Sequence, residues 1–279
     1  MTRTRRQSHL VDIILILMLL IGLSLLLYPS FSDYWNSFHQ SRAIISYIER
    51  VAHIDNTAYE EMLASARRYN AAMDAKGFRW FLTDEEKTAY EAEMNVDENG
   101  AMGYISIDKI HIQLPVYHGT NESILTTSIG HIEWTSLPIG GEGTHSALSG
   151  HRGLPSARLF TDLDKLVIGD EFVLSMLDEI LTYQVDQIRV VEPTDLSELQ
   201  IVPGKDYCTL VTCTPYGINT HRLLVRGHRV ETQVTAAQVR VVSEARQIEP
   251  EKVAPIIGFP LLVIMFLLFA HKPSRSQLP

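Results

Sequence analysis

The chain has 279 residues, 46% of them hydrophobic, and a formal net charge of −9. Its length and apolar content suffice for one or two packed domains. The acidic balance argues against a nucleic-acid partner and against a basic patch for anionic lipid, and the two cysteines form no CxxC pair or close Cys/His ladder of the kind a zinc module needs.

Residues 1–9 read as a short tail and residues 10–28 as a transmembrane helix. The stretch "LVDIILILMLLIGLSLLLY" carries only Asp12 as a charge, and at 1.5 Å rise per residue it makes roughly 28 Å of helix, the thickness of a hydrocarbon core. Arg3, Arg5 and Arg6 precede it, so the positive-inside rule keeps the N-terminus in the cytoplasm. The run continues into "YPSFSDYW" with no small-x-small cleavage site, which reads as an uncleaved anchor.

Residues 29–100 are predicted to be helical and extracellular. Apolar positions recur at three- and four-residue steps through Phe38, Ile45, Ile48 and Val51, then through Tyr59, Met62, Leu63, Ala66, Tyr69 and Met73. The string "TDEE" announces another short helix, with Thr83 as cap and Glu86 reaching back to it.

From residue 101 to 232 the period changes to two. "GYISI", "HIQLPVYHG", "HSALSGH", "EFVLSML", "ILTYQVDQIRVVEP", "DYCTLVTCT" and "RLLVRGHRVE" alternate like strands, separated by Gly, Pro, Asp and Asn. Seven or eight strands in about 130 residues predict a mainly β, closed or nearly closed barrel. Short helices are expected at "NESILT" and after His151. Residues 233–252 read as a linker. Residues 253–270, "VAPIIGFPLLVIMFLLFA", read as a second transmembrane helix, interrupted in its outer half by Pro255 and Pro260. Lys272 and Arg275 follow within the tail 271–279, so the expected topology is two spans with the large middle part outside.

Cys208 and Cys213 fall in one strand. Five residues at about 3.3 Å each hold them some 16 Å apart on opposite faces, beyond disulfide reach, so both are expected as free thiols. Cys213 closes its strand, eight turn-forming residues "TPYGINTH" follow, and Arg222 opens the next strand. In an antiparallel pair joined in this way the two are neighbours, and the guanidinium favours a thiolate or an oxyanion beside it. The competing reading is a buried inert cysteine next to a surface arginine. Acyl chemistry also needs a proton donor, for which His151 in "LSGHRG" has the most suggestive setting among His118, His131, His145 and His221.

The run "CTPYGINTHRLLVRGHR", with "YISIDKIHIQLPVYHGT", "GHIEWTSLPIGGEGTHSALSGHRGLPSARLFTDLDKLVIGD" and "YQVDQIRVVEPTDLSEL", resembles the class C sortases, the pilin-specific sortases of Gram-positive bacteria. The resemblance covers most of residues 28–229 and implies an eight-stranded sortase-type β-barrel with short helices. It implies Cys213 as nucleophile, His151 as general acid and base, and Arg222 as stabiliser of the oxyanion or substrate. The backbone N–H of Thr214, directly after the nucleophile, is the expected oxyanion donor. It further implies cleavage of an LPXTG-like sorting signal between Thr and Gly, and transfer of the Thr carbonyl to a pilin lysine, with no cofactor and no metal. The implied partners are pilin subunits and the cell membrane.

The sequence departs from that class in one respect. Many members carry an Asp-Pro-aromatic lid upstream of the barrel, whereas no proline stands between Pro29 and Pro115 here. Phe78, Trp80 and Phe81 in "AKGFRWFLTDEEK" are the aromatic candidates for a lid, Trp80 first because of its large face. Two other readings compete: a sortase joining surface proteins to peptidoglycan, and a non-catalytic, membrane-held β-barrel binding module. A hydrolytic thiol protease differs from the first only in its acceptor.

Overall fold

The computed structural model describes residues 3–77, 79–96, 100–232, 260 and 263–264. The chain forms two compact units, Tyr28–Gln233 and a second made of Met1–Leu27 with Val234–Pro279. Helix α1, Arg3–Val51, contains the one stretch among the described residues long and apolar enough to cross a membrane. None of its side chains from Ile14 to Leu26 is buried, and most are exposed. The second predicted span, residues 253–270, lies outside the described residues apart from Pro260, Val263 and Ile264.

In the larger unit α2 (Asn56–Lys76) and α3 (Asp84–Ala92) follow α1. Asp55 caps α2, and α3 opens with the capping box predicted from "TDEE": Thr83 Oγ1 accepts from the Glu86 N–H while Glu86 accepts from the Thr83 N–H. The apolar face seen in the periodicity of α2 buries Leu63 and Ala66 against the barrel, and α3 adds Tyr90. Two buried polar clasps hold the helices in place. Tyr47 donates to the Met102 carbonyl and accepts from the Leu177 N–H, and the Asn70 amide exchanges two hydrogen bonds with the backbone of Leu137.

The strands are β1 (Ala101–Ile107), β2 (Ile112–His118), β3 (Ile129–His131), β4 (Thr144–Ser149), β5 (Glu171–Met176), β6 (Glu179–Val191), β7 (Asp206–Thr214) and β8 (His221–Val230). They close a barrel in the order β1-β2-β3-β4-β7-β8-β6-β5, with β2–β3 and β4–β7 parallel and the other pairs antiparallel. The predicted alternation holds along β5, whose burial switches at every residue, and the inward set joins Ile105, Val116, Leu148, Phe172, Leu210 and Val225 in one core. β3 is too short, at three residues, to leave a period of its own in the sequence. The helix expected at "NESILT" is α4, Glu122–Leu125. Between His151 and β5 the chain makes only a single 3-10 turn, at Leu163–Lys165.

Candidate active site

The parallel β4–β7 ladder pairs Ser149 with Val211, and the antiparallel β7–β8 ladder pairs Cys213 with Arg222. Gly150 extends the first ladder: its N–H donates to the Val211 carbonyl at 3.1 Å and its carbonyl accepts from Thr212 Oγ1 at 2.7 Å. His151 is the next residue. Three adjacent strands therefore deliver His151, Cys213 and Arg222 to the same end of the barrel, although 62 positions separate the first two residues in sequence.

Cys213 lies at the partly exposed end of a strand whose preceding residues are buried. Cys208, five residues earlier, is fully buried, and burial pushes its thiol well above the usual range. The two thiols are free, as expected from their spacing. Arg222 Nη1 donates to the carbonyls of Asn219 and His221, which orients the guanidinium within the β7–β8 turn. Among the described residues the Nε2 atom of His151 is shielded from solvent with no hydrogen-bond partner, and the carboxylate it faces is Glu122 at 3.6 Å.

The other histidines weighed from the sequence have structural partners. His131 accepts from the Tyr90 hydroxyl and donates to the Ser136 carbonyl, and its complete burial lowers its pKa to about 3. His145 donates to the Gln200 carbonyl and accepts from the Thr209 hydroxyl, and burial lowers its pKa to about 4. Both are neutral structural imidazoles, the tautomers following from the partners. The ring nitrogens of His118 lie 2.9 and 2.8 Å from the carbonyl oxygens of Gly100 and Glu93. His221 lies 3.1 Å from Glu192 on the exposed side of the turn.

The structure does not bring Trp80 or Phe81 to this place. Trp80 is 64% exposed and its ring packs edge-on against Phe81. Phe81 lines a cavity of about 230 Å³ with Met73, Leu82, Trp134, His145 and Gln200. His145 pairs with Tyr207 on β7, six residues before Cys213, which is about 20 Å along the strand. The physical reason is local: the segment carrying Trp80 is the linker between α2 and α3, tied down where Arg79 pairs with Glu86 at 2.5 Å. Phe78 lies outside the described residues.

Sequence reasoning passed over Arg152 and Tyr216. Arg152 is 9% exposed, it donates to Thr214 Oγ1 at 3.3 Å and to Asp164, and its guanidinium lies 5.9 Å from the Tyr216 ring centre. Its position directly after His151 was the available signal. The partners, 12 and 62 positions away, were not legible.

The sortase-domain family model matches residues 105–230. Among solved structures, sortase C1 of Streptococcus agalactiae is 59% identical, with 69% of this chain and all of that chain covered at a TM-score of 0.67. The chain belongs to the sortase family. Two further class C neighbours are similar to this sortase. Sortase C of Clostridium perfringens, solved with the C-terminal cell wall sorting motif, is 43% identical over 68% of this chain and 99% of that chain, TM-score 0.61. Sortase C of Streptococcus pneumoniae, whose structure bears on pilin substrate specificity, is 42% identical over 70% of this chain and 99% of that chain, TM-score 0.62. This sortase thus shares the barrel of class C enzymes.

Proposed function

We propose that this sortase is a cysteine transpeptidase that joins pilin subunits, with Cys213, His151 and Arg222 as its reacting side chains. The observation that carries the reading is the cross-strand pairing of Cys213 with Arg222 beside the exit of β4, where His151 stands.

The chemistry follows from those positions. Cys213 Sγ, as thiolate, adds to the Thr carbonyl of an LPXTG-like signal. The negative charge that forms on the carbonyl oxygen is met by the Arg222 guanidinium and the Thr214 N–H. The Thr–Gly C–N bond breaks, the Gly amine leaves with a proton from His151, and a thioester remains. A pilin lysine, losing its proton to His151, adds to the thioester carbonyl and expels the Cys213 thiolate, leaving an isopeptide bond. One amide is broken and one is made, so no cofactor or metal enters the balance.

The β7–β8 loop suits such a signal, since Tyr216 and Ile218 expose apolar surface in the loop that follows Cys213, a match for Leu-Pro. Anchoring through residues 10–28, with a second span at 253–270 and the barrel outside the cell, holds the enzyme in the layer where membrane-held pilins arrive and raises their effective concentration.

The test is mass spectrometry of the chain mixed with a Leu-Pro-x-Thr-Gly peptide and a lysine-bearing pilin fragment, with Cys213→Ala alongside. A thioester on Cys213 followed by a Thr-to-lysine isopeptide, both absent from the variant, is the expected result. A thioester resolved only by a peptidoglycan-type amine would assign an anchoring role instead. No adduct at all would leave a binding module.

A further inference from the structure

We infer that Arg152 is a positioning residue for the transpeptidation: it ties the loop carrying His151 to the strand end carrying Cys213. The inference rests on the reading that these two residues form the active site.

The sequence leaves β4 at Ser149, and from His151 onward the chain runs as a loop. That loop is closed on itself by the Phe160 N–H donating to the His151 carbonyl at 3.1 Å and by the Gly153 N–H donating to Thr161 Oγ1 at 3.2 Å. Neither bond relates the loop to β7, which Gly150 meets only at the loop's root. Arg152 supplies that relation beyond His151. Its side chain is nine-tenths buried, unusual for a residue type that is always charged, and the charge is matched by the Asp164 carboxylate. One arm of the fork holds Asp164 within the loop's own return, and the other donates to the Thr214 hydroxyl at 3.3 Å.

Thr214 is the residue after Cys213 and Arg152 is the residue after His151, so this one side chain links the chain neighbours of the proposed acid and the proposed nucleophile. The Tyr216 ring completes the arrangement from the far side of Thr214. It packs against the guanidinium and over Gly153, where an added Cβ would stand 3.0 Å from the ring and where φ is +79°. A side chain at 153 would therefore push Tyr216 off Arg152 and strain the backbone as well.

A planar fork with two arms fixes both distance and angle between the two segments, which one ammonium cannot do. Removing it leaves each residue in place along its own element but frees the loop relative to the strand. Small misplacements of reacting groups cost rate more than binding. The expected signature is therefore a loss in the chemical step with substrate affinity kept.

The test measures single-turnover thioester formation and the KM for a Leu-Pro-x-Thr-Gly peptide, using the full-length chain in detergent. Arg152→Gln is expected to lower the acylation rate about tenfold or more, with KM unchanged within about twofold. Arg152→Lys, which keeps one partner at a time, should fall between the parent and Arg152→Gln. Thr214→Val, which removes only the accepting hydroxyl, covers the case in which Arg152→Gln does not fold, and should lose rate in the same direction.

Unchanged acylation in a folded Arg152→Gln or in Thr214→Val would overturn the inference. So would a rise in KM alone, which would mark Arg152 as a peptide-binding residue, or a full rescue by lysine, which would mean that charge rather than geometry matters. Failure of the underlying reading looks different. In that case the parent forms no thioester, or Cys213→Ala still does.

Discussion

Cys213 and Arg222 are directly opposed partners across β7 and β8, which are joined by a loop of six residues. Residues paired in this way in an antiparallel ladder project from the same face. A thiol and a guanidinium thus share one side of one hairpin, and their relative position is set by backbone hydrogen bonds rather than by flexible contacts. Neither has to be gathered from a remote part of the fold.

Arg222→Ala is expected to lower the acylation rate by about 10² to 10³, the loss typical of removing one oxyanion donor. Single-turnover kinetics with a sorting peptide checks this. A change confined to KM would instead give Arg222 a substrate-binding role.

The two cysteines should separate cleanly. Cys213→Ala is expected to abolish thioester formation, a fall of at least about 10³-fold. Cys208→Ala should keep it within about twofold, because the Cys208 thiol is fully buried and held protonated. Alkylation with a small thiol reagent followed by peptide mapping should label Cys213 first.

Trp80→Ala should change peptide turnover less than about twofold, since that side chain lies in solvent on the α2–α3 linker and Phe81 next to it faces a cavity by His145. Faster turnover in the variant would mean that the linker reaches the thiol in solution after all.

Stability should fall on mild acidification. His131 and His145 are neutral in the folded protein, with pKa values lowered to about 3 and about 4, whereas in the unfolded chain both titrate near 6.5. Below about 6.5 the unfolded state binds protons that the folded state does not. The stabilisation is therefore complete above that pH and is lost as pH falls toward 4 for His145 and toward 3 for His131. Each contributes up to about 1.4 kcal/mol per pH unit, so urea denaturation should show a loss of about 2 kcal/mol between pH 6 and pH 5. A flat profile would show that these rings are not held neutral.

Gly103→Ala should destabilise the barrel by at least about 1–3 kcal/mol. Gly103 pairs with Met176 where β1 and β5 close the barrel, and an added Cβ would stand 2.2 Å from the Ser175 carbonyl oxygen. That neighbour is backbone and cannot swing aside. A melting temperature equal to the parent's would contradict this packing.

Much was determined by the sequence alone. The 19-residue apolar run, the period-two stretches from residue 101 onward and the Thr83–Glu86 capping box are local patterns, and local patterns report helices and strands because side-chain periodicity follows backbone geometry. The proximity of Cys213 and Arg222 was legible for the same reason, since a short loop between two strands leaves few ways to pair them. What only the tertiary structure decided is how elements distant in the chain meet. That β4 lies parallel to β7, so that His151 exits beside Cys213, follows from the closed strand order and from no nearby residue. The burial of His131 and His145 as neutral rings, the grip of Arg152 on Thr214 and Asp164, and the placing of Phe81 away from the thiol are of the same kind. Each depends on contacts between segments far apart in sequence, and the periodicity of one segment carries no information about which other segment will cover it.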